Sequence, residues 1–196
     1  MKIAVLGSGA GSNFEALQKA ILRGELNADI ILVISDREDA GILEKAHQFG
    51  IPSIFEEGGA DFSERVAKKL VAKNVQIVCL AGLMRLIKEP LLEAFPNRIL
   101  NIHPSLLPLY LGKEAWKQAL EDGASETGCT VHLVDAGMDT GEVILQKRLP
   151  ILENDTPETL HTRIQHLEYQ AYPEALQGFM SNTTPILLPP HKKTQS

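Results

Sequence analysis

Apolar runs of strand length alternate with helical patterns through the first hundred residues of this 196-residue chain. Four such runs occupy residues 3–6, 30–34, 75–81 and 98–102. Continuous apolar runs are typical of strands that are buried on both faces, and the connections to the intervening helices are short. The alternation therefore predicts an α/β fold with a doubly wound, mostly parallel, Rossmann-like sheet and right-handed crossovers.

The second half of the chain has a different pattern. Two β-rich segments, 128–134 and 142–149, are joined by a loop rich in turn-forming residues, which predicts a β-rich C-terminal extension of the sheet. A long C-terminal helix is expected to follow, with Thr156 as its N-cap and Pro157 in its first position.

Composition limits the classes of protein that fit. The length suits one substantial domain, expected over residues 1–180 with a tail at 181–196. The formal charge of -6 argues against a molecule-wide nucleic-acid surface, and no apolar run approaches the length of a membrane span. The chain has neither a signal-peptide pattern nor a Cys/His cluster, and Cys79 and Cys129 lie in strand-like runs. We expect a cytoplasmic protein with buried thiols and no metal, membrane or nucleic-acid partner.

A glycine-rich turn, Gly7-Ser-Gly-Ala-Gly-Ser-Asn13, follows the first strand. Ser12 and Glu15 have the spacing of a capping box, so a helix should begin at or beside Ser12. The free N–H groups of such a helix start favour an anion. The third glycine is one residue early for the dinucleotide fingerprint and no P-loop Lys follows, although Asp36 lies where a ribose-binding acid could be. One small phosphate therefore fits better than NAD, which stays an alternative.

Asn101 and His103 lie at the end of the 98–102 strand, in Asn101-Ile-His-Pro-Ser-Leu-Leu-Pro108. Ligands of open α/β sheets bind at the carboxyl ends of the strands. An Asn amide can donate to a developing oxyanion, and an imidazole can move a proton near neutral pH. The alternative is a strand-to-loop junction whose polar side chains satisfy backbone groups, which is the commoner case for an isolated pair of this kind.

An acid, Asp139, lies in the glycine-flanked loop between the two β-rich segments. Ser105 lacks the sequence setting of an activated nucleophile, as do the other Ser and Cys residues. Asn, His and Asp without a protein nucleophile suggest direct transfer between two bound substrates, which needs positioning, an oxyanion donor and proton movement.

Two further features allow two interpretations each. Glu168 lies at the edge of the apolar stripe of the C-terminal helix, so its carboxylate needs a Lys or Arg partner or a ligand hydroxyl. The segment 83–87 is apolar apart from Arg85, and on pattern alone it is more simply a piece of core.

Taken together, the motif at 101–108, Gly128-x-Thr-Val-His132 and Met138-Asp-Thr-Gly141-x-x-Ile-Leu-Gln146 resemble the folate-dependent formyltransferases. Gly9-Ala-Gly-Ser-Asn13 is similar to the members that act on glycinamide ribonucleotide in de novo purine synthesis. The resemblance runs from residue 1 to about residue 173. It implies transfer of the formyl group of 10-formyltetrahydrofolate, as co-substrate, to the amine of glycinamide ribonucleotide. Hydrolysis of formylfolate and a different amine acceptor are the alternatives.

The resemblance also implies roles for individual residues. They comprise three catalytic residues, Asn101, His103 and Asp139; five substrate-binding residues, Gly11, Ser12, Asn13, Arg65 and Glu168; and six folate-binding residues, Met84, Arg85, Leu86, Ile87, Val134 and Asp135. The folate assignment replaces the core interpretation of the 83–87 segment. The domain would divide into a phosphate-binding half (1–100) and a catalytic and folate-loop half (101–180), in a monomer or homodimer.

Two parts of the chain depart from the family pattern. Family members usually carry Tyr-Pro-Gly-x-His-Thr where this chain has Tyr110-Leu-Gly-Lys-Glu-Ala115, and Glu114 cannot act as a neutral imidazole donor. A basic residue that helps to hold the phosphate is expected near Ser63, and Arg65 is the nearest candidate.

Overall fold

The computed structural model describes residues 1–182, so most of the tail expected at 181–196 lies outside the described residues. Seven strands form one sheet in the order β3-β2-β1-β4-β5-β6-β7. The strands are β1 (Lys2–Leu6), β2 (Asp29–Ser35), β3 (Ser53–Phe55), β4 (Ile77–Leu80), β5 (Ile99–His103), β6 (Glu126–Leu133) and β7 (Val143–Pro150). The first five are parallel, and β6 and β7 extend the sheet in antiparallel pairing. The predicted mixed α/β architecture is confirmed.

Six helices cover the sheet over the described residues. They are α1 (Ser12–Leu22), α2 (Gly41–Gln48), α3 (Phe62–Ala72), α4 (Glu89–Ala94), α5 (Ala115–Glu121) and α6 (Pro157–Asn182). The long helix α6 begins at Pro157 as predicted and continues through Pro173. Over residues 1–182, no helix has both the length and the apolar composition that crossing a membrane requires.

The core has two layers, one on each face of the sheet. Successive β1 residues alternate between them: Ile3 and Val5 pack beneath α1, α2 and α6, whereas Ala4 and Leu6 pack beneath α3 and α4. Cys79 and Cys129 are buried free thiols, as expected. A strand with apolar residues on both faces can be stable only between two helical layers, which explains the continuous apolar runs.

The start of α1 differs from the predicted capping box. Gly11 is the N-cap, with a left-handed φ of 74°, and no side chain caps the helix. A Cβ at Gly11 would lie 2.7 Å from the Cα of Ile42, so the position requires glycine for both its backbone angle and its space. Glu15 pairs with Lys19 and Lys45 instead of folding back on the helix start. The capping-box prediction is therefore wrong, although the predicted helix start is right.

Candidate active site

The antiparallel pairing of β5 with β6 places a histidine of β6 opposite Asn101. Asn101 lies opposite His132 in the ladder, and His103 lies opposite Thr130. His103 and His132 are both buried, at 4% and 2% exposure. The carboxyl end of β5 therefore carries an amide and two imidazoles in a region largely screened from water.

Asp139 joins this group from the loop between β6 and β7. Its Oδ2 lies 3.4 Å from Nδ1 of His103, and its Oδ1 lies 3.6 Å from Nε2 of His132. The side-chain amide of Asn101 donates to Oδ1 over 3.5 Å, and the backbone N–H of Gly112 donates to Oδ2 over 3.0 Å. The structure thus brings together Asn101, His103 and Asp139, which are separated by up to 38 positions along the chain.

The pKa values of Asp139 and His103 follow from burial and from their partners. Burial acts to raise the pKa of Asp139, but the neighbouring His132 ring, the charge of His103 and the Gly112 amide outweigh it and lower that pKa. Burial lowers the pKa of His103, and the Tyr110 carbonyl and Asp139 only partly offset it. The site therefore favours an ionised carboxylate beside a neutral imidazole near pH 7.

The hydrogen bonds of His103 fix which ring nitrogen exchanges a proton. Nε2 lies 2.8 Å from the carbonyl oxygen of Tyr110, which can only accept, so Nε2 carries a hydrogen. Nδ1 faces Asp139 and is the nitrogen that can gain and lose a proton. A proton taken up there would lie directly beside the carboxylate.

His132 is a member of the site for which no role was predicted from the sequence. Its Nδ1 lies 2.8 Å from the Leu133 carbonyl and therefore carries the hydrogen. Its Nε2 is left as an acceptor and receives the Asn101 amide at 3.2 Å. The signal in the sequence was its place in the Gly128-x-Thr-Val-His132 motif, and the contact itself follows from the strand register that puts His132 opposite Asn101.

The loop that departs from the family pattern contacts the site through its main chain. Tyr110 supplies its carbonyl to His103 and Gly112 supplies its N–H to Asp139. Tyr110, Gly112 and Glu114 all have left-handed φ angles, of 56°, 78° and 53°. The carboxylate of Glu114 binds Lys117 at 2.5 Å, away from this hydrogen-bond pair. The Glu that replaces the expected His therefore leaves both main-chain contacts in place.

The residues assigned to folate line one cavity of about 430 Å³ together with the polar cluster. Its walls include Met84, Arg85, Leu86, Ile87, Val134, Asp135, Asn101, His103 and Asp139. Met84 is 70% exposed and Leu86 is 57% exposed, so the core interpretation of this segment is wrong at these positions. Exposed apolar side chains beside a concave wall suit a ligand with a flat apolar surface.

A second polar pair connects α1 to α6. Glu168 is buried at 5% exposure and accepts a hydrogen bond of 2.9 Å from the side-chain amide of Asn13. Burial raises the pKa of Glu168 to about 7, and the bond from Asn13 opposes the rise. The partner expected from the sequence was a Lys, an Arg or a ligand hydroxyl. The actual partner in the structure is this amide, whose Oδ1 is buried without a hydrogen bond among the described residues.

The five residues assigned to the ribonucleotide do not line the 430 Å³ cavity. The amides of Gly11, Ser12 and Asn13 lie at the N-terminus of α1, which follows β1 at the same edge of the sheet as the end of β5. Arg65 contacts Glu56 at 2.5 Å, the Glu57 carbonyl at 2.5 Å and Asp61. Within residues 1–182, no group of three or more His, Cys, Asp or Glu side chains is placed to hold a metal ion.

The fold and the site together define a class of protein, an enzyme without a protein nucleophile. Ser105 donates its hydroxyl to the Leu109 carbonyl at 2.6 Å, so it is not activated by a neighbouring base. A parallel α/β sheet that presents an amide, an imidazole and a carboxylate beside a cavity suits group transfer between two bound substrates.

Comparison with known proteins identifies the family. The formyl transferase family model matches residues 1–176, and the chain belongs to this family. It is 43% identical to a phosphoribosylglycinamide formyltransferase of Bacillus subtilis, over 91% of this chain and 94% of that protein. It is 42% identical to the trifunctional purine biosynthetic protein adenosine-3 of Drosophila melanogaster, over 94% of this chain but only 14% of that protein.

Solved structures agree with this assignment. The crystal structure of glycinamide ribonucleotide transformylase 1 from Symbiobacterium toebii superposes with a TM-score of 0.91 at 45% identity, covering 95% of this chain and 91% of that one. A phosphoribosylglycinamide formyltransferase from Bacillus halodurans gives a TM-score of 0.88 at 38% identity, over 93% and 96% of the two chains.

Proposed function

We propose that this chain transfers the formyl group of 10-formyltetrahydrofolate to the amine of glycinamide ribonucleotide. The observation that carries the proposal is the convergence of Asn101, His103 and Asp139 on the wall of one cavity, where Asp139 lies within 3.5 Å of both other side chains. The names of the similar proteins support the identity of the acceptor. Formyl transfer from this folate is the reaction of the family.

Asn101 would stabilise the tetrahedral intermediate. The acceptor amine attacks the formyl carbon, and the carbonyl oxygen becomes an oxyanion that needs a preorganised donor. The amide of Asn101 contacts His132 at 3.2 Å and Asp139 at 3.5 Å. The longer contact is the weaker one, so the hydrogen now directed at Asp139 is the one available to the oxyanion.

His103 and Asp139 would move the proton. The amine loses a proton as the new C–N bond forms, and the folate nitrogen gains one as the old C–N bond breaks. Nδ1 of His103 can hold the proton between these events because Asp139 lies 3.4 Å away and stabilises the imidazolium. Delivery to the leaving nitrogen would pass through a water molecule, so the reaction needs no covalent enzyme intermediate.

The substrate subsites would lie on either side of this group. The apolar wall at 84–87, with Val134 and Asp135, would hold the folate, and the helix start at 11–13 would hold the phosphate. Glu168 would accept hydrogen bonds from the hydroxyls of the ribose. Arg65 would add charge at the phosphate only by giving up its contacts with Glu56 and Asp61.

The test is direct measurement of transfer. Purified protein is incubated with 10-formyltetrahydrofolate, with and without glycinamide ribonucleotide, while folate absorbance and the formylated ribonucleotide are followed. Consumption that depends on the ribonucleotide supports the proposal. Equal consumption without it indicates a hydrolase, and transfer only to another amine indicates a different acceptor. Titration with NAD(P) is expected to give no binding heat.

We propose a single-domain organisation as well. The seven strands share one sheet, which supports a single domain over residues 1–180. We also propose a cytoplasmic enzyme for small-molecule substrates that acts without a metal, as a monomer or homodimer. Light scattering on the purified protein would distinguish the two assembly states.

A further inference from the structure

A buried serine connects the turn after β1 to the segment after β4. Ser8 is 4% exposed, and its backbone N–H donates to the Gly82 carbonyl at 3.1 Å. Its hydroxyl oxygen accepts the backbone N–H of Met84 at 2.8 Å, and the same hydroxyl donates to Asp36 at 2.6 Å. The hydroxyl therefore acts as donor and acceptor at once, and together with the backbone N–H it joins the turn after β1 to the segment after β4.

Asp36 extends the connection to Arg85. One carboxylate oxygen receives the Ser8 hydroxyl, and the other lies 3.3 Å from Nε of Arg85. The Asp36 side chain is 8% exposed. The guanidinium lies 5.2 Å from the centre of the Phe62 ring and so close to Gly58 that a Cβ there would be 1.8 Å from Nη2. Arg85 is thus held on three sides. Asp36 has both oxygens engaged, which disfavours the ribose-binding role considered for it in a dinucleotide site.

The two turns also touch directly through their backbones. A Cβ at Gly7 would lie 2.6 Å from the Ala81 carbonyl oxygen, a distance that real side chains do not adopt. The turn at 7–13 precedes the proposed phosphate subsite, and the segment at 82–87 forms the proposed folate wall. Because the Met84 side chain is 70% exposed, the main-chain bond to Ser8 is what fixes that end of the wall.

We propose that Ser8 and Asp36 are positioning residues for folate binding, which hold the 82–85 wall against the phosphate turn. The proposal rests on the proposed function, since it takes that wall as the folate subsite. Neither residue lines the cavity. Their effect would pass through Met84 and Arg85, so it should appear in the affinity for folate and leave the chemical step unchanged.

The first test is Asp36→Asn, which keeps an acceptor for Ser8 but removes the charge that faces Arg85. The KM for 10-formyltetrahydrofolate should rise about tenfold, the scale of a lost hydrogen bond to a charged group, while kcat and the KM for glycinamide ribonucleotide stay within about twofold. The control is Asp39→Asn, because Asp39 belongs to the same segment but its carboxylate forms an exposed ion pair with Arg37 and contacts neither Ser8 nor Arg85. That variant should match the parent.

The second test is Ser8→Ala, which leaves the Met84 N–H without its acceptor, compared with Ser8→Thr, which restores a hydroxyl. The chain has one tryptophan, Trp116, and it lines the cavity. Quenching of its fluorescence by 10-formyltetrahydrofolate gives a dissociation constant without turnover, so folate binding can be measured even if the parent fails to transfer formyl. Weaker folate binding in Ser8→Ala that Ser8→Thr recovers supports the proposal. An equal rise in both KM values, or a fall in kcat alone, would overturn it.

Discussion

The side-chain amide of Asn13 donates a 2.9 Å hydrogen bond to the buried carboxylate of Glu168 and joins the first turn of α1 to the middle of α6. Burial raises the pKa of Glu168 from 4.5 to about 7, and one amide bond offsets only part of the rise. A buried carboxylate with a single hydrogen-bond donor should lower the stability of the folded protein. The same carboxylate should favour binding of a ligand hydroxyl, which would supply the missing donor.

Glu168→Gln should therefore make the protein more stable at high pH. The folded state binds the Glu168 proton more tightly than the unfolded state does, so the stability of the parent should fall as pH rises from 4.5 towards 7. Above that range the variant should exceed the parent by on the order of 3 kcal/mol, and the difference should vanish in acid. Urea unfolding at several pH values measures this.

The matched control for this prediction is the exposed Glu153→Gln, which removes one carboxylate just before the same helix. Parallel stability curves for the parent and Glu168→Gln between pH 4.5 and 7 would contradict the raised pKa. If Glu168 also binds the ribose, the variant should gain stability and lose ribonucleotide affinity together.

Asn101→Ala should lower kcat and spare binding. An oxyanion donor acts only in the transition state, and loss of one such donor costs about 10²- to 10³-fold in kcat. Steady-state kinetics and separate measurement of ternary-complex binding distinguish the two effects. The exposed Asn27→Ala serves as the control. Turnover within a few-fold of the parent would exclude the oxyanion role.

The sequence predicted most of the sheet because four of the five parallel strands carry their own signal, the exception being the short, partly exposed β3. A strand buried on both faces has to be apolar throughout, so the runs around Ile3, Ile30 and Ile77 could be recognised without knowledge of their neighbours. The approach of Asn101, His103 and Asp139 was predicted from the strand-end position of the first two and from the family resemblance. Their distances needed the structure.

Other parts of the site depend on relations that a sequence does not display. His132 contacts Asn101 only because the β5–β6 register places them opposite each other. Tyr110 and Glu114 have left-handed φ angles that their residue types do not indicate, and the loop acts through main-chain atoms. The capping-box prediction was wrong because Gly11, and not Ser12, is the N-cap of α1. The close packing of Gly11 against Ile42 of α2 explains this position, and it is not visible in the local sequence.

Asp139→Asn should change both the rate and the titration of His103. Removal of the negative charge 3.4 Å from Nδ1 takes away an interaction that raises the His103 pKa, so burial should lower that pKa further. The imidazolium would form less readily, and kcat should fall about 10²- to 10⁴-fold. NMR titration of the His103 ring and the kcat–pH profile measure the two effects. An unchanged His103 pKa would show that the two groups do not interact. The control for loss of charge is Asp29→Asn, because Asp29 is the exposed first residue of β2, at the end of that strand away from the site.

Gly112→Ala tests whether the departing loop positions Asp139. Gly112 has a φ of 78° and donates its N–H to Asp139, and a Cβ there would lie 3.3 Å from the sulfur of Met138. Gly123 has a φ of 66° and open space around its missing Cβ, so Gly123→Ala carries a similar backbone cost, about 1–2 kcal/mol, without any contact to the site.

The two alanine variants should therefore lose similar stability and differ in catalysis. Movement of the 110–114 loop withdraws one hydrogen bond that lowers the Asp139 pKa, so the acid limb of the kcat–pH profile should move to higher pH in Gly112→Ala alone. We expect kcat to fall by about tenfold or more in Gly112→Ala, because a small displacement of a catalytic group lowers the rate strongly. In Gly123→Ala, kcat should remain near the parent value. Equal kinetic effects in the two variants would mean that the loop contributes only to folding. A selective loss would show that main-chain atoms of this loop do the positioning, which explains how the site tolerates Glu114 where the family carries His.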